Sequence, residues 1–146
     1  MGEVIKIGIS KNLKNKIVNV NNVEAIEGKG LLGEKHFKED NDKKCQITLI
    51  EIENIDQYNK TTRTNIPALD FLRNIVTKGI KLNALVGKKF FIGEVEVKGH
   101  DLCRPCKNLQ DSFQQKNTIK ELLNTGGLRC EILNTGRIHV GDLIKE

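Results

Sequence analysis

The chain of 146 residues has no Trp, one Tyr and five Phe, so aromatic residues make up only 4% of it. Grooves for single-stranded nucleic acid combine positive charge with stacking rings, and this composition argues against that class. Four Cys are too few for a disulfide scaffold. No apolar run approaches the roughly 20 residues that a membrane span needs. The opening MGEVIKIGISKNLKNK has charges inside its apolar stretch and no small-residue cleavage site, so no signal peptide is expected. The P-loop and dinucleotide-binding glycine patterns are missing, and no Ser–His–Asp arrangement follows from spacing. These absences lead to an expectation of a cytoplasmic protein with reduced thiols, bound to neither nucleic acid nor membrane.

What is present is ordinary in bulk: 38% hydrophobic and 29% charged residues, enough for one domain over residues 1–146. Basic residues outnumber acidic ones 24 to 19, a formal charge of +5, which favours an anionic partner. Ile5, Ile7 and Ile9 alternate along Val4–Ser10, and short apolar runs follow at Ile17–Val20 and Val23–Ile26. Residues 28–36 form a glycine-rich loop, and CQITLI at Cys45–Ile50 reads as a strand leading into a short helix at Glu51–Tyr58. Arg73–Gly79 reads as a loop and Phe90–Lys98 as a strand. Thr118-Ile119-Lys120-Glu121 is a capping-box pattern before Gly126-Gly127. Three strand candidates, Leu128–Leu133, Arg137–Val140 and Leu143–Lys145, close the chain. Many short strands with a few short helices predict a mostly β domain, closed or half-closed into a barrel.

Chemistry concentrates in a few places. Cys103-Arg104-Pro105-Cys106 is a CxxC, usable as half of a zinc site, as a redox dithiol, or as one reactive thiolate that binds a soft metal or carries sulfur. Arg104 and Lys107 flank Cys106, and nearby cations favour the thiolate. Cys45 and Cys130 sit in apolar runs and are expected to be core residues. Lys35 and His36 follow Gly33-Glu34 on a loop whose glycines allow close approach of a ligand. His100 is placed to assist the CxxC thiol, His139 is expected at the surface, and Glu51 and Glu53 on a solvated helix face. Arg73, Asn74 and Thr77 offer donors suited to an anion or a hydrogen-bonding heterocycle.

In chain order these segments form a larger pattern. A Gly-x-x-His loop is followed by CQITLI, Asn-Ile-Val-Thr-x-Gly-Ile-x-Leu, Val-Gly-x-x-x-x-Ile-Gly-x-x-x-Val, Arg-Pro-Cys-x-x-Leu, and Gly-Gly-Leu-Arg-x-x-Ile-Leu-x-x-Gly-x-Ile-x-x-Gly-Asp. This order resembles the MOSC domain, the module at the C-terminus of molybdenum cofactor sulfurases and in free-standing bacterial proteins, over about residues 26–144. The resemblance implies a β-barrel with a few short peripheral helices that binds the molybdenum cofactor (molybdopterin). It implies that Cys106 is the metal or sulfur ligand with Cys103 as its catalytic companion. Arg73, Asn74, Thr77, Arg104, His36 and Lys35 are then implied as cofactor contacts. Pyridoxal phosphate is expected only in a partner sulfurase, not in this chain. The chain departs from the family in carrying Glu34 where the loop usually has Asp, and has some 25 residues before the core rather than the second barrel domain of the amidoxime reducers. These features lead to an expected role in carrying the cofactor, or sulfur on it, between a cofactor-biosynthesis protein and a molybdenum enzyme. The alternative is a reductase of N-hydroxylated compounds served by an electron-donor partner. A third class is a zinc-stabilised interaction domain.

Overall fold

The computed structural model describes residues 2–11, 17–104, 107–114 and 118–146. Strands β1 (Gly2–Ser10), β2 (Ile17–Val20), β3 (Asn22–Ile26) and β4 (Gly30–Leu31) come first. Strand β5 (Ile47–Glu51), helix α1 (Ile52–Thr62), a 3-10 turn at Ala68–Phe71 and β6 (Ile75–Lys78) follow. After a second 3-10 turn at Leu82–Leu85 come β7 (Lys89–Ile92), β8 (Val95–Leu102), α2 (Lys107–Phe113) and α3 (Thr118–Glu121). Strands β9 (Leu128–Ile132), β10 (Gly136–His139) and β11 (Leu143–Lys145) end the chain.

Seven strands close into a ring in the order β11-β7-β8-β9-β5-β6-β1, with β1 returning to β11 and β2 added on the outside edge of β1. Strands β10, β3 and β4 form a second, small sheet. The fold is the expected mostly β, closed barrel with a few short peripheral helices. Closure pairs every ring strand on both sides, so the ring leaves no free edge. β5 and β6 run parallel, and such a pair needs a crossover, which α1 and the first 3-10 turn supply.

Alternation decides which side chains fill the barrel. On β9, Leu128, Cys130 and Ile132 are buried while Arg129 and Glu131 between them are half-buried. Leu49, Ile75, Phe90 and Val97 belong to the same interior cluster as Leu128 and Cys130. A second cluster lies outside the wall, where Ile50 and Val76 pack with Ile55, Tyr58, Phe71, Leu109, Phe113 and Leu122. Tyr58, Phe71 and Phe113 meet there with ring centroids 4.8 to 5.7 Å apart. Half of the chain's six aromatic residues are thus spent fastening the helices to the barrel.

Several local expectations are corrected. The segment expected as a loop at residues 73–79 contains β6, whose Ile75, Val76 and Thr77 are all buried because the strand is covered on both faces. The strand expected at residues 90–98 turns back at Gly93-Glu94, giving β7 and β8. Cys45 is exposed and lies before β5, not in the core, whereas Cys130 is fully buried. Glu51 does not sit on a solvated face: it is 4% exposed and its Oε2 accepts the Leu82 amide N–H at 3.2 Å.

Candidate functional site

On the outer face of the wall β9–β5–β6, register brings polar residues together. Arg129 of β9 is paired with Thr48 of β5, and Asp101 of β8 is paired with Arg129 across a bulge that lies between Gly99 and Asp101. Thr48 in turn donates its amide and hydroxyl to Asn74 Oδ1, both at 3.2 Å. Asn74 Nδ2 donates to the Gly8 carbonyl at 3.1 Å, so this buried side chain stitches β5 and β1 to the entry of β6. Arg73 is fixed from the other side, with its Nε donating to the Gly126 carbonyl at 2.8 Å. The next carbonyl, of Gly127, accepts the Cys103 amide at 2.7 Å. The Gly126-Gly127 turn therefore sets both Arg73 and Cys103.

Between this wall, the loop at residues 34–36, the start of β2 and helix α2 lies a cavity of about 810 Å3. Arg73, Arg129, Lys35 and Lys44 line it, against the acidic Glu34 and Asp70. His36, Cys45, Cys103, Thr48 and Asn74 also line it, and Leu72 and Leu109 supply apolar surface. The size and the mixture of apolar wall with convergent polar groups suit a small molecule, and the excess of cations suits an anionic one.

Cys103 is 2% exposed. Burial pushes its thiol up from the ordinary value, while the guanidinium groups of Arg73 and Arg129, the latter also donating a hydrogen bond, pull it down. Behind it, Cys130 is raised well above the ordinary thiol value by burial and by its neighbour Cys103. Glu34 is buried, with Oε2 accepting the Ser10 amide and Oε1 bonded to His36 Nδ1 at 2.8 Å.

The cavity thus brings together Lys35, His36, Arg73, Asn74 and Cys103 from the residues singled out in the sequence. Thr77 is not among its lining residues; it is fully buried and its hydroxyl donates to the Ile50 carbonyl at 3.3 Å. Arg104 is exposed and does not line the cavity either. Cys106 lies outside the described residues. His100 is not placed to serve the thiol: its Nε2 is bonded to Glu131 Oε1 at 2.8 Å. Among the described residues no group of three or more His, Cys, Asp or Glu side chains is arranged to hold a metal. Sequence reasoning gave no role in the site to Arg129 or Thr48, and took Cys45 for a core residue. Arg129 alone left a signal, as the cation at an outward position of an alternating strand and one of five arginines in the chain.

The family model for the MOSC domain matches residues 33–145. No curated protein matches the chain. Among solved structures, the YUAD protein from Bacillus subtilis is similar with a TM-score of 0.82 and 17% identity, over 99% of this chain and 94% of that one. YiiM from Geobacillus stearothermophilus gives a TM-score of 0.74 at 17% identity, over 99% and 74% of the two chains. YiiM from Escherichia coli gives 0.74 at 18%, over 99% and 69%. At these identities the likeness is one of fold.

Proposed function

The chain belongs to the MOSC domain family, which is associated with binding and handling of the molybdenum cofactor, and we propose from that premise that it carries this cofactor, or sulfur on it, through the cavity beside Cys103. The observation that carries the reading is the convergence of Arg73 and Arg129 with the Cys103 thiol on one cavity of about 810 Å3. The residues present fit the group. Guanidinium forks match the oxygens of a phosphate, and thiol sulfur suits a soft metal. Arg73, Arg129 and Lys35 would hold the anionic end, and Cys106 with Cys103 would present sulfur to the metal end. When bound, the cofactor supplies the metal's redox and sulfur-accepting chemistry.

The chain's own residues do three things. Arg73 and Arg129 attract the anion and oppose the burial that keeps the Cys103 thiol protonated. Leu72 and Leu109 exclude water from part of the wall. Asn74 holds β1, β5 and β6 in register beneath the ligand, and its carbonyl oxygen is already spent on Thr48. Its part is positioning.

Elemental analysis of the protein from a host that makes the cofactor tests the reading, beside Cys106→Ser and Arg129→Gln variants. Molybdenum that co-purifies with the wild type and is lost from both variants is the expected result. Unchanged molybdenum in Cys106→Ser refutes the ligand assignment, and one equivalent of zinc in place of molybdenum refutes the proposal. Turnover of an amidoxime with an electron-donor partner would move the chain from carrier to reductase.

A further inference from the structure

His36 is exposed, with 60% of its side chain accessible, but it stands on a buried Glu34 in a closely tied loop. Residues 34 and 35 clasp Ser10 at the end of β1 from both sides: the Ser10 amide donates to Glu34 Oε2, and the Lys35 amide donates to the Ser10 carbonyl at 2.7 Å. The Phe37 amide returns to the Glu34 carbonyl at 3.0 Å, and Asn41 Nδ2 donates to the His36 carbonyl at 2.8 Å. The backbone on either side of the imidazole is therefore pinned. Glu34 is buried, and its second oxygen, Oε1, lies 2.8 Å from His36 Nδ1. An ionised carboxylate only accepts, so Nδ1 must be the protonated nitrogen and the neutral ring keeps its lone pair at Nε2.

That polarity matters in this cavity. Its cationic lining groups, Arg73, Arg129, Lys35 and Lys44, only donate. Among the lining acceptors, both Glu34 oxygens and Asn74 Oδ1 are already engaged, so the Asp70 carboxylate, the Ser10 and Ser112 hydroxyls and the exposed His36 ring are left to take a hydrogen bond from a ligand. We propose that Glu34 is a positioning residue that fixes the tautomer of His36, so that its Nε2 accepts a hydrogen bond from the ring N–H edge of an anionic ligand. The proposal rests on the cavity being the ligand site proposed above. It adds what the ligand's uncharged part must offer.

Nitrogen-15 NMR of the ligand-free protein at pH 8 reads directly which ring nitrogen carries the proton. The chain has three His, so a His36→Ala sample assigns the signals. Wild type is expected to carry the proton on Nδ1. In Glu34→Gln the side-chain carbonyl still accepts from Ser10, but its amide now donates to Nδ1 and the proton moves to Nε2. A wild-type ring protonated at Nε2 overturns the proposal, whatever the ligand.

Binding supplies the second readout, with hydroxymethylpterin phosphate as a probe that has both an anion and ring N–H donors, and sulfate as an anion with no hydrogen to donate. Both Glu34→Gln and His36→Ala should weaken the pterin phosphate about tenfold, one hydrogen bond's worth, and leave sulfate unchanged. Equal weakening of both probes, or of neither, overturns the proposal. If wild type binds neither probe, the ligand site itself fails and takes this reading with it, while the tautomer result still stands as measured.

Discussion

Gly127 should be among the least replaceable residues, and the structure separates the reasons. It has φ of +117°, a conformation that side chains rarely adopt, and a Cβ there would come nearer the Leu49 carbonyl oxygen of β5 than the 3.0 Å that real Cβ atoms respect. Two other glycines each isolate one of these terms. Gly28 has φ of +73° and open space around a built Cβ, so Gly28→Ala carries backbone strain alone, about 1 kcal/mol. Gly99 has no positive φ, but its Cβ would crowd the Leu85 carbonyl oxygen, so Gly99→Ala carries overpacking alone, about 1–3 kcal/mol. Gly127→Ala combines both and should cost about 3–5 kcal/mol. For a chain of this length that is a fall in Tm of more than about 10 °C. Urea denaturation of the three variants and wild type gives the differences directly, provided that the slopes agree. Because the Gly126 and Gly127 carbonyls hold Arg73 and Cys103, Gly127→Ala should also disturb the cavity, and Gly28→Ala should not. If Gly127→Ala loses no more stability than Gly28→Ala, the close approach of the glycine turn to β5 is not what requires glycine there, and the reasoning fails.

Two further outcomes follow from the buried ionisable groups. Arg129 offsets the burial that raises the Cys103 thiol, so Arg129→Gln should shift the pH curve for Cys103 alkylation upward and slow the reaction several-fold at pH 8, followed by peptide-resolved mass spectrometry. Faster alkylation of Cys103 in the variant would contradict this. Burial also raises the Glu51 carboxyl above its unfolded value, chiefly through desolvation and against the Leu82 hydrogen bond. The folded chain then holds that proton more tightly than the unfolded chain, so stability falls as pH rises from the ordinary carboxylate range through the folded value. Glu51→Gln, which still accepts from Leu82, should remove that fall: at pH 7 the variant should be at least as stable as wild type, with the advantage vanishing near pH 4. A variant markedly less stable at pH 7 would show that the charge itself is needed.

The fold was far more legible in the sequence than the site. Alternation at Leu128–Leu133, with turn residues at Gly126-Gly127 and Gly141-Asp142, gave β9 and β11 nearly to the residue, because one face of each strand meets the interior and the other does not. In β1, by contrast, a bulge between Val4 and Lys6 breaks the expected Ile5, Ile7 and Ile9 face, leaving Ile5 with the outer cluster and Ile7 and Ile9 inside the barrel. β6 escaped for the opposite reason. It is covered by the barrel on one side and by the aromatic cluster of Tyr58, Phe71 and Phe113 on the other, so Ile75 and Val76 are both buried and the period-2 signal is erased. Cys45 failed differently. Its apolar neighbours belong to β5, which starts two residues later, and a residue just outside a strand inherits the look of the strand without its burial.

The site is a product of register, and register is a relation between segments that no single segment states. Arg129 meets Thr48 because β9 runs antiparallel to β5, and Asn74 meets Thr48 because the entry to β6 runs beside the same strand. Residue 129 is 81 positions from its partner, and nothing local to either marks the pairing. Shifting β9 by one residue would turn Arg129 inward and Cys130 outward, destroying the cavity wall and the core together. The apolar cluster that fixes Leu128, Cys130 and Ile132 inside the barrel is thus also what aims Arg129 at the cavity. Catalytic residue types can be read from motifs, but a guanidinium presented by an otherwise unremarkable strand is found only after the barrel has closed.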